Sequence, residues 1–125
     1  MILDTNAVSA IADGHPDLEP VLRVASTLAI TVITLGEYRY GIKQSRNRAK
    51  YERWLEVLKQ RCGVLDVDER TTEHYAEVRA ELKRAGQPIP GNDVWIAALA
   101  RQHALPILSP DRHFDAVPSL RRIGW

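Results

Sequence analysis

Apolar positions along the chain follow two spacings, and together these predict short strands separated by helices. Four short apolar runs are typical of buried strands: residues 1–3, 28–33, 64–67 and 106–109. Between the runs, apolar residues recur at intervals of three and four, which predicts helices over residues 7–12, 17–26, 34–42, 47–62, 69–85 and 92–103. A last short strand is expected at 120–124. Because strands and helices alternate, we predict an α/β fold, a three-layer sandwich with a mainly parallel central sheet.

The segment 88–100 changes from turn residues to an almost wholly apolar helix. Its two prolines and Gly91 are typical of a turn. Asn92 or Asp93 then stands where a helix N-cap is expected. The carboxylate of Asp93 has two interpretations at this point. It is either the cap of the helix, or a metal ligand held where backbone N–H groups and the helix dipole favour anions.

Glu37 also has a purely structural interpretation. Thr34 and Glu37 follow the second predicted strand at the spacing of a capping box. In that motif Thr34 is the N-cap, and Glu37 is the third residue of the helix. Glu37 would then only stabilise the start of a helix. The positions of the other acidic residues are needed to distinguish this structural role from a catalytic one.

Four acidic residues are expected at one edge of the predicted sheet. Asp4 and Asp111 follow the first and fourth strands. Glu37 lies one helical turn beyond the second strand, and Asp93 begins the helix that leads into the fourth. The carboxyl ends of parallel strands share an edge, where open α/β folds bind ligands. Carboxylates that converge there repel one another, and a bound cation compensates that repulsion. Ligands that are all oxygen select Mg²⁺ or Mn²⁺, and such a site suits phosphodiester hydrolysis.

Four segments resemble the signature blocks of PIN-domain ribonucleases, and most closely those of VapC-type toxins of type II toxin–antitoxin systems. The segments are Ile2–Asn6, Thr34–Gly41, Ile89–Ala98 and Ser109–Phe114. They occur in the order and at the spacing of that family, and the resemblance extends over the whole chain. It implies a single PIN-like domain over residues 1–125.

The resemblance assigns roles to individual residues. It implies that the catalytic, metal-binding acids are Asp4, Glu37, Asp93 and Asp111. It implies supporting positions for Thr5, Asn6 and Ser109, because groups around a metal site orient its ligands. The last signature block varies within the family, so that Asp115 competes with Asp111 for the fourth position.

An activity and a set of partners follow from the same resemblance. It implies a metal-dependent endoribonuclease that uses Mg²⁺ or Mn²⁺ and leaves 5′-phosphate and 3′-hydroxyl ends on RNA. It also implies a homodimer and a cognate antitoxin that covers the acidic groove. Operator DNA would be bound only through the antitoxin, and no membrane is involved.

Composition agrees with one soluble domain. The chain has 125 residues, of which 45% are hydrophobic and 26% charged, and it contains no run of the roughly 18 apolar residues typical of a membrane span. Met1 is soon followed by Asp4, so no signal peptide is expected. Cys62 is the single cysteine and forms no internal disulfide. A cytoplasmic location is therefore predicted.

The net charge of +1 excludes a strong overall field, but residues 37–61 carry eight basic and three acidic side chains. This stretch is either a solvated helix face or a surface that contacts phosphates. Arg39 and Lys43 lie nearest to Glu37 in sequence and are the predicted RNA contacts. The four histidines show no metal-ligand spacing, so structural or solvent-facing positions are expected for His15, His74, His103 and His113.

Two other functions were compared with this prediction. A haloacid-dehalogenase-like phosphatase requires a second acid two residues after its N-terminal aspartate, but that position is Asn6, and no lysine follows Lys83. The remaining alternative is a PIN-like module that only binds RNA or, with its antitoxin, operator DNA. Metal-dependent RNA cleavage separates the enzyme from the binding module.

Overall fold

A computed structural model describes residues 1–125 as a five-stranded sheet with helices on both faces. The strands are β1 Ile2–Leu3, β2 Ala29–Thr31, β3 Gly63–Leu65, β4 Ile107–Leu108 and β5 Arg122–Ile123. The α-helices are α1 Thr5–Ala12, α2 Glu19–Val24, α3 Val32–Lys43, α4 Arg48–Arg61, α5 Glu69–Arg84 and α6 Gly91–His103. Short 3₁₀ turns occur at Pro16–Leu18 and Arg112–Ala116. None of the helices combines the length and apolar character needed to cross a membrane.

All neighbouring strands of the sheet are parallel, in the order β3-β2-β1-β4-β5. Successive side chains of a strand point to opposite faces of a sheet, and the central strands use this to build two cores. Ile2 of β1 packs in the cluster that contains residues of α5 and α6. Leu3 packs in the cluster that contains residues of α1, α3 and α4. The predicted three-layer α/β sandwich is therefore confirmed.

The chain path places the end of β1 at the point where the strand order reverses. From β1 the chain moves outward to β2 and β3, then returns to β4 on the other side of β1. Leu3 is in register with Ile30 of β2 and Leu108 of β4. The next residues, Asp4 and Ser109, consequently lie side by side at the carboxyl edge of the sheet. Open α/β sheets bind ligands in the crevice at such a switch point.

The start of α3 differs from the prediction and releases Glu37 from a capping role. Thr31, the last residue of β2, is the N-cap, and its hydroxyl accepts a hydrogen bond from the Thr34 amide at 3.1 Å. The helix thus begins at Val32, three residues earlier than a capping box with Thr34 as its N-cap predicts. The predicted box is wrong because Thr31 is an equally good cap that comes earlier in the chain. Glu37 lies in the second helical turn, where it caps nothing.

The start of α6 also differs from the prediction, with the same consequence for Asp93. The helix begins at Gly91 with Pro90 at the N-cap, and no side chain caps it. The amides of Asp93 and Val94 donate to the Pro90 carbonyl, at 3.0 and 3.1 Å. Proline at this position loses nothing, because its missing N–H would have had no partner there. The capping interpretation of Asn92 or Asp93 is therefore wrong.

The helix predicted over residues 17–26 is divided in two. A 3₁₀ turn, Pro16–Leu18, precedes α2, which spans only Glu19–Val24. Pro20 has no N–H to donate to the preceding turn, so a single α-helix cannot continue through it. The division leaves Leu18 buried in the core and has no effect on the acidic edge of the sheet.

Two matched substitutions test the observed start of α3. We expect Thr31→Val to lower the free energy of unfolding by about 1–2 kcal/mol, because it removes the cap. Thr34→Val removes a buried hydroxyl that has no hydrogen-bond partner, so its effect should lie within about 0.5 kcal/mol or be stabilising. Urea unfolding of both variants measures the difference. A larger loss for Thr34→Val would instead support the capping box that begins at Thr34.

Candidate active site

Asp4 is a nearly buried carboxylate held by two neutral donors. It follows β1 and is 3% exposed. Its Oδ1 accepts a hydrogen bond from the Ala7 amide at 2.8 Å, which caps α1. Its Oδ2 accepts a hydrogen bond from the Ser109 hydroxyl, directly after β4. Burial raises the pKa of Asp4 to about 6, although these two hydrogen bonds oppose the rise, and the charges of Asp111 and Asp93 add to it.

Glu37 reaches the same region from α3. The Thr5 hydroxyl, in the first turn of α1, donates a hydrogen bond to Glu37 Oε1 at 3.1 Å. Thr5 is the residue next to Asp4, so this contact joins α3 to the edge of the sheet at the end of β1. Glu37 is also close enough to Asp93 for its negative charge to raise the pKa of that residue.

Asp93 and Asp111 both approach the same nitrogen of the His113 side chain. His113 Nε2 is 2.8 Å from Asp93 Oδ2 and 3.6 Å from Asp111 Oδ2. Asn6 donates a hydrogen bond to the same Asp111 oxygen at 3.2 Å. Burial raises the pKa of Asp93, and the negative charges of Glu37 and Asp111 act in the same direction, while His113 opposes them. The structure thus brings these two acids from α6 and the β4–β5 segment to one place.

Each of the three predicted supporting residues contacts a different acid. Thr5 bonds to Glu37, and Asn6 bonds to Asp111. Ser109 donates to Asp4 and also accepts from the Asp111 amide at 3.0 Å. These contacts, together with the His113 contact to Asp93, connect all four predicted acids in one cluster. Their metal-binding and catalytic roles stay predictions, but their convergence is a property of the fold.

His113 lies at the acidic cluster, which its spacing in the sequence did not predict. Its expected solvent-facing position is wrong, since Nε2 is buried and lies close to Asp93 and Asp111, while a structural role stays a prediction. The signal available in the sequence was its place two residues after Asp111, in a segment too short for a helix. The segment forms a 3₁₀ turn anchored by Phe114, which is fully buried, and this turn aims His113 at α6.

The structure distinguishes the two competing acids of the last segment. Asp115 makes a two-point contact with the Arg122 guanidinium, at 2.9 Å from Nε to Oδ1 and 3.2 Å from Nη2 to Oδ2. This hydrogen-bonded contact holds the pKa of the Asp115 carboxyl below its usual range. Arg122 also donates to the Ser109 carbonyl at 3.1 Å. Asp115 therefore braces the segment that carries Ser109 and Asp111, and Asp111 is the acid that faces the cluster.

The two predicted RNA contacts are exposed but do not share a helix face with Glu37. Arg39 lies two residues beyond Glu37, about 200° around the helix axis. Its guanidinium Nη2 is 3.8 Å from Glu56 Oε1 on α4. Lys43 is the last residue of α3 and is exposed. Contact of either residue with RNA stays a prediction, and on α3 both are turned away from the carboxylate of Glu37.

The donor set of the cluster fits a divalent cation. No lysine or arginine forms an ion pair with Asp4, Glu37, Asp93 or Asp111. The oxygens and nitrogen offered by Asp93, Asp111 and His113 all lie within 4.8 Å of one another. Carboxylates that are oriented by neutral donors but not neutralised keep the negative charge that attracts a metal ion. The arrangement can hold such an ion and position a water molecule beside an electrophile.

Comparison with known sequences finds the same family along nearly the whole chain. The family model described as PIN domain matches residues 1–120. Ribonuclease VapC2 of Rickettsia felis is 31% identical over 130 aligned residues, which cover 99% of this chain and 96% of that protein. The tRNA(fMet)-specific endonuclease VapC of Salmonella typhimurium is 32% identical over 131 aligned residues, with coverage of 99% and 96%.

Solved structures show a similar fold. VapBC2 from Rickettsia felis, bound to a DNA fragment from its promoter, contains a chain that superposes with a TM-score of 0.87 at 28% identity, covering 99% of this chain and 97% of that one. DNA-bound VapBC from Salmonella typhimurium gives a TM-score of 0.88 at 31% identity, with coverage of 99% and 96%.

The raised pKa of Asp4 predicts how stability depends on pH in the metal-free protein. A carboxyl whose pKa is higher when folded, about 6, than when unfolded, about 3.9, binds more protons in the folded state between these values. Stability is then fully present below about pH 4 and is lost as the pH rises through 6, by up to about 3 kcal/mol for Asp4 alone. Asp4→Asn lacks this loss and keeps a side chain that can cap α1.

Thermal melts in EDTA from pH 4 to pH 7.5, on the parent protein and Asp4→Asn, measure the effect. We expect the variant to gain stability relative to the parent as the pH rises. Parallel curves for the two proteins would show that Asp4 ionises as freely in the folded chain as in the unfolded one.

Proposed function

The chain belongs to the PIN-domain family, and on this premise we propose that it is the ribonuclease toxin of a toxin–antitoxin pair, an endoribonuclease that hydrolyses RNA phosphodiester bonds. The observation that carries the proposal is the convergence of four acids from separate segments at the switch point of the sheet. The names of the relatives, ribonuclease and endonuclease, support the same reaction. We also propose that residues 1–125 form one PIN-like domain.

The proposed reaction uses the acids as holders of a divalent cation, Mg²⁺ or Mn²⁺. Such a cation supplies activation of water and neutralisation of charge at the phosphoryl group. Asp4 is oriented for this by the Ala7 amide and the Ser109 hydroxyl. Thr5 and Asn6 orient Glu37 and Asp111 in the same way. These supporting donors are neutral, so they fix the carboxylates without reducing their charge.

Proton transfer is assigned to a carboxylate oxygen that is free of other contacts. Asp93 Oδ2 is the oxygen that approaches His113, which leaves Oδ1 available to accept a proton from the attacking water. Asp93 is only partly exposed, with 20% of its side chain accessible. Burial raises the pKa of Asp93, and a higher pKa makes a carboxylate a stronger base.

An antitoxin is the proposed protein partner. The structural neighbours include VapBC complexes, two of them bound to DNA, which supports binding of operator DNA through the antitoxin. An antitoxin can inhibit the enzyme by placing an arginine among the acids, because a guanidinium pairs with two carboxylate oxygens at once and can replace the cation. We also propose that two copies of the chain form a homodimer and that the complex acts in the cytoplasm.

The substitution Asp93→Asn distinguishes a catalytic role of this residue from a purely structural one. No side-chain cap is lost, since Pro90 is the N-cap of the helix, and removal of a partly buried charge relieves repulsion from Glu37 and Asp111. Stability without metal should therefore stay level or rise slightly. RNA cleavage should fall at least about 100-fold, because an amide is a poorer ligand for a hard cation and a poorer base.

The measurement is a cleavage assay on total RNA with Mg²⁺ or Mn²⁺, together with thermal melts with and without metal. Asp17→Asn is the matched control, because it removes the same charge from an exposed residue outside the cluster. The control should cleave at the parent rate. If the parent protein does not cleave RNA with either metal, the non-catalytic binding module becomes the better interpretation. If Asp93→Asn cleaves like the control, the role assigned to Asp93 is wrong.

Inhibition by the antitoxin is tested by adding the purified cognate antitoxin, the product of the neighbouring small open reading frame. We expect cleavage to stop at equimolar complex and to return when the arginine that enters the acidic cluster is replaced by alanine in the antitoxin. Gel filtration checks that the complex still forms. Undiminished cleavage by a demonstrably formed complex would show that the antitoxin binds away from the acids.

A further inference from the structure

The imidazole of His113 has a position that the proposed reaction does not yet use. Its Nε2 atom is buried and has no hydrogen-bond partner, although it lies 2.8 Å from Asp93 Oδ2 and 3.6 Å from Asp111 Oδ2. At 2.8 Å, a missing hydrogen bond means that Asp93 Oδ2 lies off the direction in which the ring nitrogen points, whereas the Asp111 oxygen at 3.6 Å is too distant for a hydrogen bond. No protein atom therefore satisfies Nε2, although two carboxylates lie close to it.

We propose that His113 Nε2 is a ligand of the divalent cation, so that Asp93, Asp111 and His113 form a face of two carboxylates and one imidazole that binds Mn²⁺ in preference to Mg²⁺. The inference rests on the proposed function, because it assumes that the acidic cluster binds a cation. It goes further by adding a nitrogen ligand and by choosing between the two metals that the acids alone leave open.

The geometry agrees with a shared cation. Neighbouring ligands of an octahedral ion with bonds of about 2.1 Å lie about 3 Å apart. The 2.8 Å separation of His113 Nε2 and Asp93 Oδ2 matches that spacing. The Asp111 oxygen, at 3.6 Å, needs to move by less than 1 Å, and its side chain is 44% exposed and held only by the Asn6 hydrogen bond.

The two fixed members of this face stand on rigid elements. Asp93 lies in the first turn of α6, next to buried Val94. His113 precedes Phe114, which is fully buried, and the two rings have centroids 5.0 Å apart. Ligands fixed by packing lose little freedom when a metal binds.

An imidazole ligand changes which metals the site prefers. Sites made only of oxygen suit Mg²⁺, whereas imidazole nitrogen binds transition metals more strongly, and affinity rises from Mn²⁺ along the first-row series. A face with one nitrogen and two carboxylates therefore favours Mn²⁺ over Mg²⁺. The competing interpretation is that protonated His113 is an internal cation that pairs with Asp93. The two interpretations predict opposite effects when the imidazole is removed.

Pulsed EPR of the Mn²⁺-loaded full chain tests the ligand directly. A coordinated imidazole gives nitrogen modulation of the Mn²⁺ signal, and incorporation of ¹⁵N-histidine should change that modulation in the parent protein. His113→Gln should abolish it. His103→Gln is the matched control, since His103 is exposed at the end of α6, away from the acids, and it should leave the modulation unchanged. The isotope experiment needs no variant, so it stands even if His113→Gln folds poorly.

Metal titrations measure the predicted selectivity. We expect His113→Gln to weaken Mn²⁺ binding at least about tenfold and Mg²⁺ binding less than about threefold. Unchanged or stronger Mn²⁺ binding in the variant would overturn the inference in favour of the internal cation. Absence of histidine modulation in the Mn²⁺-loaded parent, or its persistence in His113→Gln, would also overturn it.

The outcome is separable from that of the proposed function. RNA cleavage by the parent protein without histidine modulation would refute the inference and leave the ribonuclease assignment standing. Absence of RNA cleavage, with modulation present, would refute the assignment and leave a metal site that contains His113.

Discussion

The structure depends on the burial of one carboxylate, that of Asp4, at the end of the central strand. This group caps the N-terminus of α1 by accepting from the Ala7 amide, and it links the ends of β1 and β4 by accepting from the Ser109 hydroxyl. A carboxyl buried in this way favours its protonated form, as the raised pKa shows. The free-energy cost of ionising this buried group arises at the point where the strand order reverses, and three other acids lie close to it there. In the proposed site a bound cation would offset this cost, so the feature that weakens the metal-free fold would also be the one that attracts the metal.

The sequence predicted the sheet and the acidic edge because both depend on long-range patterns. Alternation of strands and helices requires parallel pairing with crossovers, and parallel pairing brings the ends of β1 and β4 together whatever the local details. The helix starts could not be predicted equally well, because adjacent residues offered competing caps. Thr31 and Thr34 are chemically identical, and Thr31 is selected because β2 ends there. At α6, Pro90 and Asp93 were likewise alternative N-cap residues. The local sequence does not show which of them the surrounding structure selects.

His113 and Arg122 show the limit of reasoning from spacing. His113 contributes to the cluster only because a 3₁₀ turn anchored by Phe114 directs it towards α6. That orientation depends on packing between segments about 20 residues apart, which no periodicity encodes. Arg122 binds the Asp115 carboxylate outside the cluster and also donates a hydrogen bond to the Ser109 carbonyl. Sequence alone left Asp111 and Asp115 as alternatives, because both follow the same strand and only the contact with Arg122 separates them.

The chemistry of the contacts separates structural from candidate functional acids. Asp115 is bonded to a guanidinium, as is Glu81, which pairs with Arg101. Such acids are neutralised and have little attraction left for a metal ion. The acids of the cluster contact hydroxyls, an amide side chain and a backbone amide instead. These neutral donors fix orientation and leave the charge in place, which a cation site requires and a structural ion pair does not. His113 is the one exception, and a neutral imidazole is also a common metal ligand.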